Sequence, residues 1–441
     1  MKIGFVAMSG VRACDPELLE MGLTLPGFVE RSKTIASLPS LGLLTLAGMT
    51  PKHHEVSYWE VDELAEGELI ADGLDLVLIS SFTARIQDGY LVADRLRRKG
   101  IRVALGGLHV TALPDEAAEH ADTIVVGEGE PVWLELLDDL AAGELKPRYS
   151  SFDRPAFPLS DAPLPAYELL DVSKYNRLTV QTTRGCPLKC EFCAASIMLT
   201  PHYKQKPVER VLAEIDKICS IWPRPFIEFA DDNSFVHRRF WKQLLPELKR
   251  RRVKWFTETD LSIHDDDELL QLMRDAGCAQ LLIGLESPTE VGLDGIELKQ
   301  NRKRAWWPDY IPAIKNIQSH GIRVNGCFVL GLDGHTTDVF DEVLEFAEVS
   351  ELYDVQITYQ TPFPGTPLYD RLMREDRMLF PTEWSRYTLF DINYQPTPMT
   401  VDELKEGFYG LSRRLYSDEM TARRRDTFKS KYLRAKRHRP R

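Results

Sequence analysis

Long hydrophobic runs are missing from this 441-residue chain, and stretches such as Leu74 to Ile79 are far too short to span a bilayer. Cysteine is scarce. The seven are Cys14, Cys186, Cys190, Cys193, Cys219, Cys278 and Cys327, an odd count with one tight cluster, which excludes a secreted disulfide framework. No leader is expected: Met1 to Gly10 reads as a first strand, and Cys14 follows an arginine-containing stretch unlike a lipoprotein signal. A reducing cytoplasmic setting is the expectation. No repeat of fixed period and no low-complexity tract occurs. Positive charge is in deficit, at a net −12. From Arg423 to Arg441 there are ten Lys or Arg against one acid, so the remainder is more acidic still. An acidic body offers no footprint for nucleic acid. The tail reads as a solvated C-terminus, with weak contact to an anionic membrane surface as its alternative.

What is present is a normal soluble composition, 43% apolar and 28% charged, over a length that suggests two or three units. Residues 1–142 alternate strands and helices. Lys2 to Met8, His54 to Val61, Leu74 to Ser80, Arg102 to Leu105 and Thr123 to Val126 read as strands. Helices are expected at Leu41 to Thr50, from Ile86 to about Gly100, and at Glu130 to Ala141. Such alternation predicts a parallel sheet with ligands at the carboxyl ends of its strands. Those ends carry Ser80, Ser81 and Thr83; Gly106, Gly107 and His109; and Gly127, Glu128 and Gly129. No GxGxxG follows the first strand, which disfavours a dinucleotide.

Residues 143–173 hold five prolines from Pro147 to Pro165 and read as a linker. A second βα series occupies residues 174–372. Its strands are expected at Leu178 to Gln181, Phe226 to Phe229, Trp255 to Glu258, Gln280 to Gly284, Val324 to Leu330 and Val355 to Thr358. Helices are expected between them, for example Asp266 to Asp275 and Trp307 to His320. Repeated units of this kind predict a full or partial βα barrel. Residues 373–441 form a small, mostly helical C-terminal region. Its aromatic-rich stretch from Glu383 to Tyr394 is expected to cover the barrel mouth and select substrate.

The decisive segment is Thr183-Arg184-Gly185-Cys186-Pro187-Leu188-Lys189-Cys190-Glu191-Phe192-Cys193, just after the first barrel strand. Three thiolates at CxxxCxxC on one loop can hold three corners of a cubic iron–sulfur cluster and leave the fourth iron open. Structural zinc wants four ligands, and Cys219 and His202 stand alone in the sequence. Cys14, Cys219, Cys278 and Cys327 read as core thiols.

CxxxCxxC with an aromatic residue, Phe192, before its last cysteine resembles the signature of the radical S-adenosylmethionine (SAM) enzymes. The resemblance implies a partial (βα)6 barrel, a 4Fe-4S cluster on Cys186, Cys190 and Cys193, and SAM chelated to the open iron and cleaved by one electron. It places SAM contacts at Phe192; at Asp231, Asp232 and Asn233; at Glu286 and Ser287; and at Gly326 and Gly331. The electron would come from an external donor of flavodoxin or ferredoxin type.

Residues 1–142 resemble the flavodoxin- or Rossmann-like cobalamin-binding domain of one branch of that family, on Leu38-Pro39-Ser40-Leu41-Gly42-Leu43, Gly106-Gly107-Leu108-His109 and Val126-Gly127-Glu128-Gly129-Glu130. The resemblance implies cobalamin at the strand-end residues named above. The DxHxxG signature that supplies a cobalt-ligating histidine is missing, and Asp333-Gly334-His335 is a near match in the wrong domain. Cofactors then carry the chemistry, which agrees with the lack of any catalytic triad. The expected function is cobalamin-dependent methylation of an unactivated carbon in a small-molecule, lipid or peptide substrate. A radical SAM cyclase, rearrangement or oxidation enzyme is the alternative, and a zinc-stabilised binding protein the remote one.

Overall fold

The computed structural model describes residues 1–22, 38–194 and 203–433. His202 and the last eight residues of the basic tail lie outside them. Alternation along the opening strand, Lys2–Met8, sets the layers of the first half. Ile3, Phe5 and Ala7 pack against Leu43, Leu46, Trp133 and Leu136, while Val6 and Met8 pack against Tyr90, Ala93 and Leu96. Helices therefore cover both faces, as a parallel sheet requires. Six parallel strands lie in the order Glu55–Val61, Lys2–Met8, Leu76–Ser81, Arg102–Gly106, Thr123–Val126 and Arg148–Ser150. The order reverses at Lys2–Met8, which pairs with the second strand on one side and the third on the other. Such a reversal opens a crevice at the carboxyl ends of the strands.

The sixth strand is a departure from the sequence reading, which placed it in the linker. Arg148–Ser150 pairs in parallel with Thr123–Val126. Three residues carry too little periodicity to register, and their position at the sheet edge tolerates the neighbouring Pro147. The linker is also anchored, because the Ala166 N–H donates to Leu44 O at 2.9 Å.

The second half is an α/β partial barrel. Leu178–Val180, Phe226–Phe229, Lys254–Thr259, Cys278–Glu286, Arg323–Leu330 and Asp354–Tyr359 follow in sequence order, all parallel, with the first and last at the edges of the sheet. Ile227, Phe229, Trp255, Leu281, Ile283, Val324, Phe328, Val355 and Ile357 point to the surrounding helices and share one core with Trp241, Leu244, Leu248 and Ile314. Phe229 meets Trp241 edge-on at 5.1 Å and Trp255 at 5.4 Å between ring centroids, an arrangement that suits aromatic quadrupoles.

The C-terminal region ties the halves together. Helix Val401–Leu415 starts on a Thr400/Glu403 capping box and stacks Phe408 on Tyr359, 4.1 Å between centroids. Trp384 and Tyr387, expected at the barrel mouth, lie instead in the core of the first sheet, where the Trp384 indole N–H donates to Glu116 Oε2 at 3.1 Å. Two bulky rings bury more apolar surface there than a solvent-facing cover would allow. The basic tail is likewise docked as far as residue 433. The Arg424 guanidinium is buried and donates to Leu415 O at 2.7 Å, Arg423 pairs with Glu348 and Lys431 with Glu351, and Phe428 and Tyr432 are buried. Two acids of the barrel side thus pair with its cations, and this part of the tail is docked rather than frayed, with Arg423, Lys429 and Lys431 still facing solvent. Among the described residues no helix is long and apolar enough to cross a membrane.

Candidate active site

The cysteine loop is built on Asp231. Its carboxylate is buried and accepts the Thr182 N–H at 2.7 Å, the Thr182 hydroxyl at 2.6 Å, the Thr183 N–H at 2.9 Å and the Ser234 hydroxyl at 2.8 Å. Burial raises its pKa, against the pull of these bonds. Asp231 therefore braces the segment that leads into Cys186 and has no free face for SAM. Asp232 Oδ2 accepts the Gly185 N–H at 2.9 Å, where Gly185 turns with φ +86°. Asn233 donates from Nδ2 to Asp260 Oδ2 at 2.7 Å, with the Cys186 sulfur 3.9 Å from the same nitrogen.

The rest of the loop is held from two sides. The Glu191 N–H donates to Ile296 O at 2.8 Å and the Leu298 N–H to Lys189 O at 3.1 Å, which clamps Cys190 against the segment after the fourth barrel strand. Glu191 pairs with Arg371 at 2.7 Å, and Arg371 with Asp333 at 2.7 Å. Phe192 is half-buried against Leu368, Leu372 and Tyr394. Burial pushes the Cys190 thiol well up, with the Lys303 ammonium opposing. Among the described residues no three Cys, His, Asp or Glu side chains converge on a single ion. A cubic cluster asks for no such convergence, since each cysteine binds a different iron. Three thiols on one loop, with an amide beside Cys186 and an ammonium near Cys190, fit that group.

Glu286 has φ +66°, a strained conformation for a glutamate, at an irregularity in the pairing of the fourth and fifth strands. Its carboxylate accepts the Lys303 ammonium at 2.7 Å, and Lys303 also donates to Gly284 O at 2.7 Å. Ser287 is buried, its hydroxyl 3.0 Å from His335 Nε2. A Cβ on Gly326 would lie 2.8 Å from Leu285 and Leu352, so this glycine faces the helix layer and its neighbour Cys327 faces the lumen. Gly331, at φ +88°, turns toward the C-terminal region, where its carbonyl accepts the Tyr394 hydroxyl at 2.5 Å. The loop, the second-strand acids and Glu286 thus share one end of the barrel; Gly331 follows the fifth strand at the same end, and Gly326 lies within that strand.

The crevice of the first sheet is a cavity of about 280 Å³. Ser80, Gly106, Gly107, Gly127, Glu128 and Gly129 line it, with Gly42 and Leu46 from helix Leu41–Met49. Gly107 at φ +108° and Gly127 at φ +83° take conformations that favour glycine, and they leave flat backbone at the floor. That floor fits a broad planar ligand such as the corrin ring. Ser81, Thr83 and His109 are not brought there. His109 is buried beneath Trp384, with Nδ1 3.3 Å from Thr83 Oγ1 and Nε2 3.1 Å from Glu116 Oε1. Both ring nitrogens are occupied, so His109 is not placed to reach a corrin.

The cavity's far wall comes from the barrel, through Gln181, Arg184 and Asp232. Arg184 donates to Glu128 at 2.9 Å, to Glu130 at 2.5 Å and to Gln181 at 2.7 Å, and Lys204 joins Glu128 at 2.6 Å. Burial opposes the charge of Glu130, but Arg184 outweighs it and holds the carboxyl below its ordinary pKa. The sequence reading missed Arg184, Lys303, Asp260 and Glu258. A carboxylate within the otherwise buried parallel strand Lys254–Thr259 was the available signal for Glu258; Lys303, on helix Arg302–Trp306, and Asp260, just past the strand, gave none.

The sequence matches the Radical SAM superfamily over residues 180–347, the B12 binding domain over 33–137 and a domain of unknown function (DUF4070) over 366–441. The chain belongs to the radical SAM superfamily, in the branch with a B12 binding domain ahead of the barrel. It is 26% identical over 395 residues to a bacteriochlorophyllide d C-12(1)-methyltransferase of Chlorobaculum tepidum, covering 88% of this chain and 84% of the relative. It is 30% identical to the hopanoid C-2 methylase of Rhodopseudomonas palustris, covering 78% and 66%. The structure of TsrM, a radical SAM methyltransferase from Kitasatospora setae with cobalamin and a [4Fe-4S] cluster bound, superposes with a TM-score of 0.67 at 13% identity, covering 95% of this chain and 89% of that one, and so shares the fold. The matched domains imply three cofactors: a 4Fe-4S cluster, SAM and cobalamin.

Proposed function

We propose that the protein is a cobalamin-dependent radical SAM methyltransferase that methylates an unactivated carbon of a natural-product, lipid or cofactor precursor. The observation that carries the reading is the shared wall. Arg184 and Asp232 line the glycine-floored cavity of the first sheet and also flank the cysteine loop, which supports two cofactor sites lying side by side. Cys186, Cys190 and Cys193 would hold the cluster, and Ser80, Gly106, Gly107, Gly127, Glu128 and Gly129 would bed the corrin. Together these groups supply the electron that cleaves SAM and the methyl group that is transferred. The chain's own side chains position them. Asp231 fixes the loop's entry, Asn233 offers an N–H toward the Cys186 sulfur, and Lys303 neutralises Glu286 beside Cys190. The electron is proposed to come from an external one-electron protein donor.

The test is an anaerobic assay of the reconstituted protein with methyl-labelled SAM. Labelled product together with S-adenosylhomocysteine is expected. Deoxyadenosine without methyl transfer would reject the methyltransferase reading and favour the cyclase chemistry named for a 26%-identical relative, the anaerobic magnesium-protoporphyrin IX monomethyl ester cyclase of Cereibacter sphaeroides. Alanine at Cys186, Cys190 or Cys193 is expected to abolish SAM cleavage. Alanine at Cys219, on helix Val208–Ile221, is expected to leave it intact.

A further inference from the structure

Three thiolates make any cluster on the cysteine loop anionic, and the acids around the loop add to that charge. Asp231 is buried and Asp232 half-buried beside it, and Glu286 is buried at the same end of the barrel. Most cations of the neighbourhood are directed elsewhere. Arg184 serves Glu128 and Glu130, Arg371 serves Glu191 and Asp333, and Lys189 acts on Asp232.

Lys303 is turned inward instead. It is 5% exposed, and its Nζ donates to Gly284 O and to Glu286 Oε1, each at 2.7 Å. An ammonium carries three donors, and among the described residues Nζ meets these two acceptors. The Lys303 main chain is tied to the cysteine loop as well. Its N–H donates to Glu297 Oε2 at 2.9 Å, and Glu297 faces Cys190 across an isolated antiparallel bridge. Burial acts first on the Cys190 thiol, and of the charges that act on it the Lys303 ammonium comes ahead of its own partner, the Glu286 carboxylate. In return, burial disfavours the charge of Lys303, while Glu286 and then Cys190 hold it in place. A buried ion pair is a poor source of stability, since apolar replacements of such pairs often stabilise a fold. Glu286 adds a strained backbone. A fold tolerates features of this kind mainly where function needs them.

We propose that Lys303 is a positioning residue for charge: it sets the reduction potential of the cluster that Cys190 helps to hold, by keeping a desolvated ammonium beside the negative charge that arrives on reduction. The inference rests on the cluster assignment within the proposed function and not on methyl transfer. One electron passes from the external protein donor to the cluster, which becomes one unit more negative; no bond forms or breaks and no proton moves. Iron–sulfur potentials follow net charge, hydrogen bonding and exposure to water. A charge in a dry site acts on its neighbours with little screening. The Glu286 carboxylate works in the opposite sense and more weakly.

The test is a potentiometric titration of the reconstituted protein without SAM, read by the paramagnetic resonance of the reduced cluster. In Lys303→Met the ratio of reduced to oxidised cluster at a fixed potential is expected to fall about tenfold or more, which is about 59 mV for one electron. In Glu286→Gln the ratio is expected to rise, by a smaller factor. Iron per chain is expected to match the unmutated protein in both. A ratio within twofold of the unmutated protein in Lys303→Met overturns the proposal. Shifts of one sign in both variants also overturn it, because they mark a change in water access rather than in charge. SAM affinity, from equilibrium dialysis, that falls tenfold while the ratio stays put assigns the ammonium to SAM and overturns it too. If Lys303→Met takes up no cluster, Glu286→Gln decides, and a ratio that is unchanged or lower there overturns the proposal. Failure of methyl transfer in the labelled-SAM assay rejects the function and leaves the titration standing.

Discussion

Asp231 and His335 show how much of a residue's role is decided by what already surrounds it. Four donors saturate Asp231, and two of them are backbone N–H groups in the stretch leading to Cys186. Asp231→Ala strands those donors in a dry site and is expected to destabilise the protein by about 3 kcal/mol, read from denaturant midpoints at constant slope. The iron content after reconstitution should fall in parallel. His335 is buried against Ser287, with Nδ1 unpartnered. Desolvation lowers its pKa to about 4, with Asp333 opposing from beyond its own pairs to Arg371 and Arg377. The unfolded chain takes up the proton near pH 6.5 and the folded chain only near 4. Its contribution to stability is therefore complete above about pH 6.5 and is lost as the pH falls toward 4. His335→Gln is expected to flatten that acid limb in thermal midpoints taken between pH 7 and 4.5.

At the scale of elements, strands were legible where periodicity ran long enough. Lys2–Met8 and Phe226–Phe229 stand where the apolar pattern placed them, and Cys278–Glu286 only extends its expected span. Arg148–Ser150 was hidden, because three residues between prolines carry no period. The CxxxCxxC loop was legible as a ligand set, but its bracing by Asp231 was not, because hydrogen-bond direction is a property of the folded backbone. The same holds for His109, whose strand-end position was correct while its ring turned inward under Trp384. Helix packing was equally invisible. A Cβ on Gly407 of helix Val401–Leu415 would come 1.9 Å from the Phe340 ring on helix Val339–Val349. Gly407→Ala is expected to cost about 1–3 kcal/mol by forcing those helices apart, against which Gly410→Ala, with nothing within 4 Å, serves as the control in thermal denaturation.

Across the whole molecule, the two sheets meet through a few charged contacts at the cofactor cavity. Arg184 satisfies both Glu128 and the buried Glu130 from the barrel side. Arg184→Leu leaves two carboxylates there with one cation, Lys204, between them. That is expected to destabilise by about 3–5 kcal/mol and to raise amide exchange on both sides of the cavity. The C-terminal return is the second tie. Asp391 accepts the Cys14 N–H at 2.9 Å and the Asp15 N–H at 3.0 Å, and Lys405 pairs with Asp15 at 3.3 Å.

That return has a consequence in time. Trp384 and Tyr387 complete the core of a sheet whose own strands end at Ser150. More than two hundred residues separate them, so at about 5–20 residues per second the ribosome delivers the missing rings roughly 10–50 s after the sheet they finish. Through that interval the nascent sheet waits with a gap over His109, and a chain cut in the linker would wait indefinitely.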